Sequence, residues 1–143
     1  MEIKTKAYGP LTIEPTDIIT FQRGPIGFED KHKFVLLGNP EVIETLVWLQ
    51  SVEDEELAFV VAQPRFFRPD YNPSVHLDEL EELDVKDEAD LLVYSIITVP
   101  AEVNKMTANL RAPVVINVKN NRAGQIVLND DRYKIKEPVF VGK

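Results

Sequence analysis

The chain has 143 residues, 44% of them hydrophobic and 28% charged, with no cysteine, two histidines and a formal net charge of -8. That length and balance suit a chain that buries a core without disulfides, outside the disordered and collagen-like classes, and the missing thiols remove thiolate zinc sites, iron–sulfur clusters and cysteine nucleophiles. An isoelectric point near 4.8 also speaks against direct nucleic-acid binding, because phosphate contacts call for a basic surface.

Strand-like alternation begins at Ile3 to Tyr8 and recurs at Asp17 to Phe21, Lys33 to Leu37, Thr45 to Gln50, Leu57 to Gln63, Leu91 to Val99, Val114 to Lys119, Gln125 to Leu128 and Arg132 to Lys136. Turn chemistry separates these runs at Gly9-Pro10, Gly24-Pro25, Gly38-Asn39-Pro40, Glu53 to Glu56, Gln63-Pro64, Asn120-Asn121 with Gly124, and Asn129 to Asp131. The last two bracket a hairpin. Helix is confined to short pieces. Asn39 caps a turn begun by Pro40 at Glu41 to Glu44. Leu77, Leu80 and Leu83, three apart, suit one buried stripe of a short helix, and a turn at Ala101 to Thr107 buries Val103 and Met106. No helical pattern long enough for a parallel crossover lies between successive strands, so pairing should be mostly antiparallel. The expectation is an all-β fold, a compact antiparallel β-barrel-like domain with a few short helical turns, spanning 1–143 as one domain.

The opening residues MEIKTKAY show no apolar run after their basic residues, and no stretch approaches the roughly 20 apolar residues of a membrane span, which points to a cytoplasmic chain without membrane contact. His32 and His76 show no ligand spacing to each other or to other donors, and zinc needs three or four. There is no nucleophile elbow, P-loop or dinucleotide fingerprint. Gly24-Pro25-Ile26-Gly27 has glycines three apart, but Pro25 withholds an amide that a phosphate nest would use, so it reads as a rigid turn. No catalytic residue, cofactor or metal site is expected. A barrel that binds a small ligand and a carboxylate-only glycosidase are the alternatives to a protein-binding role.

Charge is unevenly spread. Asp78, Glu79, Glu81, Glu82, Asp84, Asp87, Glu88 and Asp90 stand against one base, Lys86, a local charge of -7, whereas the residues from Asn104 to the end carry +5. The acidic run is either a solvated face or a surface that repels phosphate. The segment Gln63 to Pro73 holds three prolines, two arginines and three aromatics. Phe66, Phe67 and Tyr71 either fold back onto the core or form an apolar patch for a partner.

Arg23-Gly24-Pro25-Ile26-Gly27-Phe28-Glu29, Leu46-Val47-Trp48-Leu49-Gln50-Ser51, Ala58-Phe59-Val60-Val61, and Asn109-Leu110-Arg111-Ala112-Pro113-Val114-Val115-Ile116-Asn117 followed by Gly124-Gln125 resemble the bacterial flagellar assembly factor family FliW. The resemblance runs to about Tyr133; the family's first turn more often has its proline one place later. It implies a β-barrel-like fold and a non-enzymatic switch that is monomeric when free. Such proteins bind cytoplasmic flagellin and, once flagellin is exported, bind the RNA-binding CsrA dimer and relieve its repression of flagellin translation. On that reading the eight acids from Asp78 to Asp90 exclude RNA from CsrA by repulsion within about one Debye length, roughly 8 Å. Phe66, Phe67, Tyr71 and Arg111 are then candidates for the flagellin surface, although Arg111 equally suits an internal carboxylate contact and Trp48 and Phe59 suit the core.

Overall fold

The computed structural model describes residues 1–38, 46–73 and 81–139. Among them, β1 (Glu2–Thr5) and β2 (Gly9–Thr12) form a separate hairpin, and nine further strands form one sheet: β3 (Ile19–Phe21), β4 (Lys33–Leu37), β5 (Val47–Ser51), β6 (Ala58–Ala62), β7 (Leu91–Thr98), β8 (Thr107–Ala108), β9 (Val114–Asn117), β10 (Arg122–Gln125) and β11 (Glu137–Pro138). β3 to β7 follow one another in order, β7 also pairs β9, β9 pairs β10, and β10 returns to β3, so seven strands close a barrel. Every neighbouring pair is antiparallel except β10 and β3, which run parallel. β7 is long enough to serve two partners: Leu91 to Tyr94 pair with β9, and Ile97 and Thr98 with β8, which carries β11 on its far side.

Period-two alternation sorts the strand side chains among three clusters. Phe21, Phe34, Leu49, Val61, Tyr94 and Ile116 fill the barrel, with the Phe21 and Phe34 rings edge to face at 5.2 Å. Trp48 is half-buried and Phe59 packs, partly exposed, against the barrel core. Intervening residues point outward. Val115 on β9 and Ile97 on β7 join Leu83, Ile126, Leu128, Tyr71 and Tyr133 in a second core outside the barrel. The β1–β2 hairpin packs Ile3 and Ile13 on Val35, and Gln50 pins it by accepting a hydrogen bond from the Lys6 amide at 2.9 Å.

The expected barrel is observed, and several elements sit differently. Gly9–Thr12 and Thr107–Ala108 are strands that the residue pattern did not reveal. The expected strand at Gln125 to Leu128 lies earlier, at Arg122–Gln125, and hairpins with β9 around Asn121, whose left-handed φ of 57° makes the tight turn. The expected strand at Arg132 to Lys136 is turn-like: Tyr133 is buried but Ile135 is 57% exposed, so the alternation has no second buried residue to hold a strand there. The 3₁₀ turns among the described residues are Pro15–Asp17, Pro64–Phe66, Glu88–Asp90 and Val103–Lys105, the last followed by the buried Met106. The expected turn at Glu41 to Glu44 falls outside the described residues, as do Leu77 and Leu80 of the expected helical stripe; its third member, Leu83, is buried in a turn.

Candidate partner-binding surfaces

The acidic run is held against the outer face of β9. Asn117, 1% exposed at the end of that strand, donates its side-chain amide to the carbonyls of Leu83 at 3.0 Å and Asp84 at 3.3 Å, and Asn120 donates to Leu83 O at 3.0 Å. Leu83 packs inward between exposed neighbours Glu81, Glu82 and Asp84. Asp84 adopts a left-handed φ of 54°, which a short polar side chain tolerates. Asp87 then caps the 3₁₀ turn, accepting from Ala89 N at 2.9 Å, and Asp90 is tied through its carbonyl to Val118 N at 2.9 Å. Glu81, Glu82, Asp84, Asp87 and Glu88 are exposed and Asp90 is half-buried. Lys86 meets Asp84 at 3.1 Å in an exposed ion pair, a contact of small energy in water. Asp78 and Glu79 lie outside the described residues.

The aromatic loop is organised around two tyrosines. Tyr71, 1% exposed, stacks edge to face on Tyr133 at 4.7 Å and donates its hydroxyl to Leu110 O at 2.7 Å. The Tyr133 hydroxyl accepts from Asn72 N at 3.0 Å, and Arg65 reaches back across the loop to donate to Tyr71 O at 3.1 Å. Arg111 donates through Nε to Tyr133 O at 2.9 Å and approaches Asp131 at 3.7 Å. Arg68 and Arg132 both lie over the Tyr133 ring, with guanidinium carbons 5.7 and 5.2 Å from its centre. Tyr71 and Arg111 are therefore brought together, both meeting Tyr133. Phe67 is half-buried against the second core, and Phe66 stands out at 46% exposure. The Tyr71 ring belongs to the core, so the exposed aromatic of this loop is Phe66.

Other residues of the sequence motifs tie the barrel end together. Gln125 accepts from Ile26 N at 2.9 Å and donates to Ala112 O at 2.9 Å, joining three motif segments in one side chain. Asn109 accepts from the amides of Arg111 and Ala112 at 3.1 and 3.0 Å. Gly24 is packed so closely that a Cβ there would run into the carbonyls of Phe28 and Lys31, and Gly27 takes a φ of 90°.

A groove of about 410 Å³ runs between Arg65, Tyr71 and Asn72 on the loop and Glu88 and Ala89 on the acidic run, floored by Val93. Of the residues expected from sequence at the two surfaces, Tyr71 and Glu88 thus line one depression. Several carboxyls are held below their ordinary range: Glu29 by its own amide and that of Gly27, Glu53 by the amides of Lys33 and His32, Asp70 by Arg68, and Asp130 by Arg132. A general acid needs the opposite displacement. Burial drives Tyr71 well above the usual tyrosine range. No helix among the described residues is long and apolar enough to cross a membrane.

The sequence offers Asn117 only as the end of a motif and Asn120 only as turn chemistry, and it gives no role to Tyr133 or Arg68; the contacts of all four come from the structure. The available signal was Asn117 itself, a polar residue closing an otherwise apolar strand.

The family model described as "FliW protein" matches residues 2–139. The chain is 40% identical to the "Flagellar assembly factor FliW" of Thermoanaerobacter pseudethanolicus over 140 residues, covering 98% of this chain and 93% of that protein. It is 41% identical to the protein of the same name from Treponema denticola, covering 98% and 94%. A crystal structure of the flagellar assembly factor FliW superposes with a TM-score of 0.92 at 36% identity, over 100% of this chain and 99% of that one.

Proposed function

We propose a function for this chain from the premise that it belongs to the FliW family: it is a cytoplasmic flagellar assembly factor that acts by holding proteins, not by catalysis. One partner is flagellin. The other is the CsrA dimer, bound by the free monomer once flagellin has left, so that flagellin translation is released from repression. The chain itself makes no direct contact with nucleic acid; its acids act on RNA through space.

The observation that carries this reading is the anchored acidic run. Glu81, Glu82 and Glu88 face solvent from a segment whose carbonyls are fastened to the barrel by Asn117 and Asn120. Acids held in position concentrate a field that acids on a loose tail would average out, and that field acts over about a Debye length. For flagellin, Phe66 and Phe67 supply apolar area on the loop, with Tyr71 and Arg111 shaping it from beneath. The alternative of a barrel enclosing a small ligand draws no support from an interior filled by Phe21, Phe34, Leu49 and Tyr94.

The test is binding of the purified chain to purified flagellin and, separately, to purified CsrA, followed by Phe66→Ala and Phe67→Ala against flagellin alone. The reading requires association with each protein and weaker flagellin binding by the variants. Failure to bind either partner would overturn it.

A further inference from the structure

The barrel closes through a short seam. β3 and β10 pair only at Thr20 with Arg122 and Phe21 with Ala123, after which β3 leaves into the Gly24–Gly27 turn while the chain beyond Ala123 continues extended. Gln125 stands opposite Val114 on β9. The amides that reach toward the segment leading into β9 are those of Ile126, to Pro113 O at 2.9 Å, and Leu128, to Arg111 O at 2.7 Å. Neighbouring residues of an extended strand direct their backbone groups to opposite sides. The N–H and C=O of Gln125 and Val127 therefore face the side that β3 has vacated, and no hydrogen bond satisfies them among the described residues.

This edge is unprotected. Gly124 to Leu128 contains neither proline nor charge, and Val127 is 58% exposed. Exposed edges are ordinarily blunted by such residues. The outermost strand on the other side of the sheet is blunted: β11 carries Pro138 and follows Lys134 and Lys136. Beside the open edge lies a groove of about 880 Å³, with Gln22, Arg23 and Ile26 on one wall and Arg122, Gln125 and Val127 on the other. Neither arginine is in an ion pair among the described residues. Of the acids lining the groove, Glu29 is turned onto the Gly27 amide at 3.2 Å, and Glu82 enters from the segment before Leu83.

We propose that this edge takes up an extended segment of a partner protein as an added strand, one that alternates apolar with acidic side chains. Its backbone bonds the outward groups of Gln125 and Val127, an apolar side chain lies by Ile26 and Val127, and a carboxylate meets Arg23 or Arg122. A second copy of this chain is the weaker occupant, because its own matching edge, Gly124 to Leu128, carries no carboxylate to meet Arg23 or Arg122. The site is distinct from the groove between the aromatic loop and the acidic run, and it does not depend on which partners the flagellar role uses.

The probe is a capped peptide of about ten residues, the length of a strand, alternating valine with aspartate and threonine, titrated into isotope-labelled protein and followed by amide NMR. Saturable shifts confined to residues 22–29 and 122–128 are expected. Arg122→Glu should weaken binding about fivefold, the upper scale of an exposed ion pair, and N-methylation of alternate peptide amides should abolish it. Val127→Pro removes one outward donor without touching the bonds to Pro113 and Arg111 and should weaken binding, and Ile26→Asp, at an exposed position, should do the same and serves should the proline variant fail to fold. Absence of shifts at millimolar peptide, binding indifferent to N-methylation, or shifts that follow protein concentration and report self-association would each overturn the proposal.

Discussion

The side-chain amide of Asn117 crosses from the end of β9 to the carbonyl of Leu83, 34 positions earlier in the chain, at 3.0 Å. With the bonds from Asn120 to Leu83 and from Val118 to Asp90, that contact makes the acidic run part of the barrel rather than an appendage to it. Asn117→Ala removes the buried donor, leaving the Leu83 carbonyl with Asn120 as its remaining side-chain donor and taking the side-chain donor from Asp84, at a cost of about 1–3 kcal/mol. Denaturant unfolding should show that loss, and hydrogen exchange should rise across residues 81–90 more than in the barrel strands.

Tyr71 separates hydrogen bonding from packing. Tyr71→Phe keeps the ring on Tyr133 but deletes the bond to Leu110 O, and should cost about 1–2 kcal/mol. Tyr71→Ala also empties a core position and should cost about 3–5 kcal/mol. The folded tyrosine is raised by burial first and by Tyr133 next. Its contribution is whole below the ordinary tyrosine range and drains away as pH climbs above that range toward the raised folded value. Wild-type unfolding followed on the alkaline side should therefore be steeper than that of Tyr71→Phe.

At the acid end the informative group is Glu53, whose carboxylate accepts from the amides of His32 at 2.6 Å and Lys33 at 2.8 Å. These bonds, the Lys33 amide foremost, lower its folded value. The stability it lends is present above the ordinary glutamate range and is lost as pH falls through the depressed folded value. The side chain is solvent-exposed, so the effect is modest. Glu53→Gln should be slightly less stable than wild type at neutral pH, with the difference shrinking in acid melts.

Gly24 and Gln125 test whether the motif segments serve the fold. Gly24→Ala places a methyl group into the carbonyls of Phe28 and Lys31, and should yield little folded protein. Gln125→Ala loses both its bonds to Ile26 and Ala112 and should destabilise by about 1–3 kcal/mol, read in thermal melts, with the barrel otherwise retained in circular dichroism.

β4 was legible to the residue at Lys33–Leu37, and β7 nearly so, because apolar residues there recur in long runs bounded by turn residues. The parallel seam of β3 and β10 was not legible: it joins segments about a hundred positions apart through two residue pairs, and no local pattern encodes it. Arg132 to Lys136 imitates a strand because Tyr133 and Ile135 alternate with bases, yet only Tyr133 has a core to enter. The acids could be found by counting charge. Their support could not, since the Asn117 contact depends on how β9 and the segment at Leu83 meet in space. Tyr71 was open between core and surface, and contacts remote in sequence, the Tyr133 ring and the Leu110 carbonyl, decide for the core.

The most direct measurement of the central claim is release of RNA from CsrA by wild type and by the triple variant Glu81→Lys, Glu82→Lys and Glu88→Lys, at low and high salt. These acids are exposed, and the set spares Asp84 with its left-handed backbone and Asp87 with its capping bond. An unchanged melting temperature, impaired RNA release at low salt and a gap that narrows as salt screens the field are the predicted results. RNA release equal to wild type at low salt, by a variant that is folded, would contradict the account.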